Sequence, residues 1–195
     1  MPFSIQVIGI IVIVSASLLP FAMPNWRILI TALAAIYLIQ FIFIFYQSTP
    51  LLAVINLIIG WMACAVIGIS SLRLGLASDI EPQRIGITFR LMTAFFFVLT
   101  AFALSIDAYS WLLKVPYILL SAGLTLLFTG ILQMSFYHHA LRVIISLLVF
   151  LSGFELIYYT LESSLLVIVL IGFVKIGLSF IGTYLIAQEN QLGSV

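Results

Sequence analysis

Charge is what this sequence has least of. Only 7% of its 195 residues are Asp, Glu, Lys or Arg, whereas 65% are hydrophobic. A soluble globule needs several times more charge to cover its surface, so the solvent this chain is built for is lipid. Cysteine is equally scarce: the single Cys64 lies inside an apolar run, which excludes an intrachain disulfide and leaves the redox compartment undetermined. The formal net charge is only +1, with no basic stripe for nucleic acid and no block of like charge to make a solvated tail. Met1 to Gln6 contain no Lys or Arg, and no small-residue cleavage site precedes the second apolar run, so the first run is expected to be a retained helix. A phosphate loop, zinc-ligand spacing, a thiolate cluster and a nucleophile elbow are all missing, so neither a catalytic site nor a cofactor or metal site is expected in this chain alone.

What is present is a succession of long apolar runs. Each has roughly 17 to 24 residues, long enough to cross about 30 Å of hydrocarbon at about 1.5 Å per residue. Turn residues and charges separate them, and the pattern predicts seven helices: Phe3 to Pro20, Trp26 to Tyr46, Leu51 to Leu72, Ile87 to Ile106, Pro116 to Met134, Arg142 to Leu161 and Ser164 to Ala187. Spanning strands would alternate apolar and polar residues, and these runs are apolar all round. The expected fold is an all-α polytopic membrane protein in a single transmembrane domain. Pro2, Pro20, Pro24, Pro50, Pro82 and Pro116 fall at or near helix ends, so no mid-membrane kink is predicted. Trp26, Tyr46, Tyr109, Trp111, Tyr117, Tyr137 and Tyr184 fall near the ends as interfacial belts do.

Five arginines, Arg27, Arg73, Arg84, Arg90 and Arg142, fall on one face of this arrangement and Lys114 on the other. Basic loops stay in the cytoplasm, which predicts an outside N-terminus and an inside C-terminus. Sliding the chain by 115 residues sets Arg27 on Arg142, Gln40 on Glu155, Gln47 on Glu162 and Ser48 on Ser163. This suggests parallel repeats over 3–72 and 116–187, joined by a linker helix over 87–106. The second half then carries Glu155 and Lys175 where the first has Gln40 and Gly60.

Glu155 and Lys175 are the residues that point to chemistry. An ionisable side chain facing lipid at a helix centre costs about 2.5 to 3.5 kcal/mol, so both are expected to face other helices, a wet cavity or each other. Glu155 lies roughly 20 Å beyond Arg142 along its helix. Two readings remain open: a buried pair that locks neighbouring helices, and a proton-relay step between groups that both lose preference for their charged forms when desolvated. His138 and His139, beside Arg142 at the start of helix six, point to different faces of a helix and do not make a metal site by themselves; they read as a surface dyad, or as a proton entrance or a contact with another subunit at the cytoplasmic end. Glu162 reads as a solvated loop residue. Gln40, Asn56 and Gln133 are candidates for interhelical hydrogen bonds, and Gly172, Gly177, Ser179 and Gly182 make helix seven small-sided, which suits close approach of another helix.

The stretch HHALRVIISLLVFLSGFELIYYTLESSLLVIVLIGFVKIGLSFIGTYLI has a basic start, a glycine and a glutamate in one helix, a short turn, and a second helix with a charge near its middle. This pattern resembles the small K-type membrane subunit of NADH-quinone oxidoreductase. With the additional N-terminal helices, the whole chain looks more like hydrogenase-4 component E. The resemblance implies an accessory subunit of a complex I-like or group 4 hydrogenase-like assembly, with antiporter-like and quinone- or hydrogenase-module membrane proteins as partners. It also gives Glu155 a place in a polar axis of intramembrane charges, with Arg142, His138, His139 and Gln40 as further contacts. Two positions depart from the family pattern: its glutamate comes a turn earlier, where this chain has Leu151, and Lys175 stands where an acidic residue is expected. Two other readings stay open. The three-plus-one-plus-three layout is similar to the sugar-transporting SWEET family, and a purely structural anchor would use Glu155 and Lys175 only as a lock.

Overall fold

A computed structural model describes residues 3–23, 25–47, 50–75, 86–112, 115–161 and 164–192. Pro2, Pro24, Ser48, Pro82, Arg84, Lys114, Glu162 and Ser163, named above, lie outside the described residues. The described residues form seven α-helices: α1 (Phe3–Ala22), α2 (Trp26–Gln47), α3 (Pro50–Arg73), α4 (Ile87–Trp111), α5 (Tyr117–Phe136), α6 (Ala140–Leu161) and α7 (Leu165–Leu192). All seven are long and apolar enough to span a bilayer, and the protein is an all-α, multi-pass membrane protein.

Several helices run further than their apolar patterns. α1 continues through Pro20 to Ala22, α4 continues past Ile106 to Trp111, and α7 continues to Leu192. Hydrophobicity records where hydrocarbon ends, whereas a helix ends where its backbone bonding is interrupted, and exposed polar residues such as Asp107 extend α4 into the interface. Real breakers do act elsewhere. Pro50 opens α3, where a missing N–H costs nothing. α3 closes on Gly75, whose φ of +60° is the left-handed conformation that glycine adopts without strain.

The helices stand in two rows of three, α1–α2–α3 and α5–α6–α7, with α1 against α5, α2 against α6 and α3 against α7; α4 stands outside, against α1 and α5. Only 22% of the α4 span is buried, against 61% for α5 and for α6, so α4 is the rim and the α5–α6 pair is the spine. The spine is tight because glycines line it. A Cβ on Gly153 would meet the Gly123 carbonyl oxygen and the Leu127 nitrogen at 2.6 Å, and one on Gly130 would meet the Phe150 backbone at 2.8 Å. Small residues allow this close approach and its dispersion gain. On α7, by contrast, Gly172 faces the Ile59 side chain, Gly182 faces the Ile144 side chain, and Gly177 faces open space. The closest helix contact is therefore α5 on α6, not a contact of α7. Large apolar side chains such as Phe95, Phe96, Leu166 and Phe173 cover the outside.

Candidate functional site

α6 and α7 run in opposite directions and place Glu155 and Lys175 at different depths. Glu155 is about 9 Å from the α6 C-terminus and Lys175 about 15 Å from the α7 N-terminus, measured from the same end of the bundle. Side chains lean toward the N-terminus of their own helix, so the lysine stem reaches back toward that end while the carboxylate leans inward. The two meet: Lys175 Nζ donates to Glu155 Oε2 in an ion pair, with the side chains 0% and 2% exposed.

A third helix completes the donor's surroundings. Lys175 Nζ also donates to Asn56 Oδ1 on α3 at 3.0 Å. A fourth supplies an aromatic face, with Nζ 4.7 Å from the centre of the Tyr37 ring on α2. That ring lies on Gly60 of α3, where any Cβ would come within 3.0 Å of the ring carbons. One turn along α2, Gln40 Nε2 donates to the Ser152 carbonyl oxygen on α6. Tyr159, one turn beyond Glu155 on α6, is within electrostatic reach of its carboxylate, and Cys64 on α3 is within reach of Lys175. The site thus draws on α2, α3, α6 and α7. Its polar atoms still outnumber its bonds: the Tyr37 hydroxyl is within hydrogen-bonding reach of Ser152 and the Asn56 amide of the Glu155 carboxylate, while Gln40 Oε1 and Tyr159 OH are buried without a hydrogen-bond partner.

Arg142 lies elsewhere. It and Arg90 are 1% and 2% exposed and gather on Tyr137 near the end where α6 begins. Arg90 Nη1 donates to the Tyr137 hydroxyl at 2.8 Å, that hydroxyl donates to the Pro20 carbonyl at 2.9 Å, and the Arg142 guanidinium carbon lies 4.1 Å from the ring centre. Arg142 Nη1 donates to the same Pro20 carbonyl at 3.3 Å. That carbonyl is left over because residue 24, its partner in a continuing helix, is proline. Two cations beside the C-terminus of α1 also complement its dipole. Deeper on the same side, Gln133 Nε2 donates to the Ser17 carbonyl at 3.1 Å.

His139 belongs to a separate, shallower contact. Its Nδ1 is 3.4 Å from Glu189 Oε2 at the end of α7, and the same oxygen accepts from the Ala140 N–H at 3.2 Å, closing the first turn of α6. His138 is exposed and lines a cavity of about 220 Å³ with Ala140, Leu185, Gln188 and Glu189. No family model, curated protein or solved structure matches the chain. The site therefore has to be read from its own geometry.

Read that way, the sequence-derived candidates divide into three places. Glu155, Lys175 and Gln40 share the buried site with Asn56, Arg142 is in the arginine–tyrosine cluster, and the two histidines are at the surface beyond it. Tyr37 and Tyr159 were missed. Tyr37 had a signal, a phenol near the middle of an apolar run and far from either interface. Tyr137 and Trp26, read as belt residues, are buried, while Tyr46, Tyr109, Trp111, Tyr117 and Tyr184 are exposed.

Proposed function

We propose that this chain is an accessory membrane subunit of a complex I-like or group 4 hydrogenase-like ion-translocating assembly, and that Glu155 and Lys175 form its proton-exchange step. One observation carries the reading: the polar atoms around the pair exceed what a helix lock requires. A lock needs one carboxylate and one ammonium. Here two further polar atoms, Gln40 Oε1 and Tyr159 OH, are buried without hydrogen-bond partners, each at a cost of about 1 to 3 kcal/mol. A fold that keeps such a cost in its interior is using those groups for something besides stability.

In this reading the exchange runs between the carboxylate and the ammonium, with the phenols and amides as neighbouring donors and acceptors. The chain supplies no redox chemistry of its own; quinone- or hydrogenase-module proteins and antiporter-like subunits supply it. The arginine-bearing end faces the cytoplasm of a bacterial or archaeal cell, following the distribution of basic residues. The pattern shared by α6 and α7 with the K-type subunits supports the same assignment.

The test is affinity purification of the tagged protein in a gentle detergent, with mass spectrometry of stoichiometric partners. Antiporter-like and redox subunits are expected to co-elute. A monodisperse chain eluting alone refutes the subunit role and moves transport of a small solute to first place.

A further inference from the structure

The surroundings of the Lys175 ammonium have the make-up of a cation site. A carboxylate oxygen comes from α6, a neutral amide oxygen at 3.0 Å from α3 and an aromatic face at 4.7 Å from α2. None of these groups belongs to the helix that carries the charge. A further oxygen, Gln40 Oε1, is fully buried one turn from Tyr37 and has no partner. A helix lock has no use for that oxygen, whereas a desolvated cation gains from every oxygen it reaches.

We infer that Glu155, Asn56, Gln40 and Tyr37 form a binding site for a small monovalent cation, an alkali ion or a primary alkylammonium, which Lys175 fills as a tethered competitor. The lysine and a free cation exclude each other because both need the Glu155 carboxylate. The exchange balances in charge: Lys175 releases one proton and becomes the neutral amine, one cation takes its place, and the net charge of the site is unchanged. Return of the proton expels the cation. One proton therefore moves against one cation. The other titratable groups facing the ammonium are Tyr37 on α2, Cys64 on α3 and Tyr159 on α6 beside Glu155; the other ionisable residues of α7, Tyr184 and Glu189, lie toward its far end.

This assignment rests on the reading of the pair as an exchange step, and it names the exchanged ion. It is tested on the isolated full-length chain, so its failure is distinct from a failure to find partner subunits. The decisive readout is proton release in lightly buffered detergent at alkaline pH when NaCl, KCl or propylammonium chloride is added, against choline chloride at equal ionic strength. The expected result is saturable release approaching one proton per chain for at least one of the three, and none from the Glu155→Gln/Lys175→Met double variant. Folded wild-type protein that releases no more than the choline control overturns the proposal. Lys175→Ala gives a second reading, because propylammonium is the part of the side chain that this change removes. Its thermal midpoint is expected to rise with propylammonium at concentrations at least tenfold below any effect of choline. A folded Lys175→Ala protein indifferent to all three cations also counts against the site; if that variant does not fold, the wild-type titration decides.

Discussion

Removing one charge of the buried pair should make stability depend on pH, with a sign that reveals which partner was removed. In Lys175→Met the carboxyl of Glu155, 2% exposed, is left without its counter-charge and stays folded as the neutral acid. A glutamic acid in water half-ionises near pH ~4.3, so at pH 7 this costs about 2.7 pH units at about 1.36 kcal/mol each, about 3.7 kcal/mol. In Glu155→Gln the fully buried lysine stays folded as the neutral amine. From a reference near ~10.4, the same arithmetic gives about 4.6 kcal/mol at pH 7. Both values sit in the ~3 to 5 kcal/mol range for breaking a buried pair. The slopes are opposite. Unfolded Lys175→Met releases a proton that the folded form keeps, so its stability falls by about 1.4 kcal/mol per unit as pH rises above about 4.3. Folding of Glu155→Gln expels a proton, so its stability rises by about 1.4 kcal/mol per unit up to about pH 10.4. Equilibrium unfolding in mixed micelles from pH 5 to 9 measures both slopes. The double variant Glu155→Gln/Lys175→Met should be flat with pH and within a few kcal/mol of wild type, on either side. Slopes that are flat or of the same sign in the two single variants would refute a buried ion pair.

Four further outcomes follow from packing and capping. Gly153→Ala should cost about 1 to 3 kcal/mol in detergent unfolding, because its Cβ meets backbone atoms of α5 that cannot swing aside; Gly177→Ala, facing open space, should gain up to about 1 kcal/mol from helix propensity alone. Tyr137→Phe removes the hydroxyl that joins Arg90 to the Pro20 carbonyl, and the same unfolding assay should register a loss of about 1 to 3 kcal/mol. Glu189→Ala removes the oxygen that accepts from the Ala140 N–H, and hydrogen exchange of that amide should speed by a factor consistent with about 0.5 to 2 kcal/mol.

The seven helices were legible because the apolar runs are long and the breaks between them contain proline, glycine or charge. Glu155 and Lys175 stood out for an equally simple reason, since charges inside apolar runs are expensive. Asn56 and Gln40 were noticed as polar residues, but the sequence does not say which helices face one another, so nothing connected Asn56 to a lysine 119 residues away. The arginines had a second role that counting does not reveal. Arg90 and Arg142, counted toward the basic end, are also buried there on Tyr137. Pro24 was read as falling at or near a helix end, and it also frees the Pro20 carbonyl on which that cluster is built. The α5–α6 spine was overlooked because Gly123, Gly130 and Gly153 are spread over two helices, whereas the glycines of α7 crowd one.

The placement of the charged pair on the last two helices has a consequence for how the protein is made. Synthesis runs from the N-terminus, so α2 and α3, with Gln40 and Asn56, are in the membrane before either charge leaves the ribosome. α6 then arrives carrying Glu155 while Lys175 is still 20 residues behind. Its place is the corner formed by α5 and α2, on the side that α7 later covers. α6 can therefore dock on the helices already present, but α7 must follow closely enough to neutralise its charge. Nascent chains stalled between residues 161 and 175 would hold a lone carboxylate with no ammonium to meet it, and those are the intermediates that an insertase or a quality-control protease would meet.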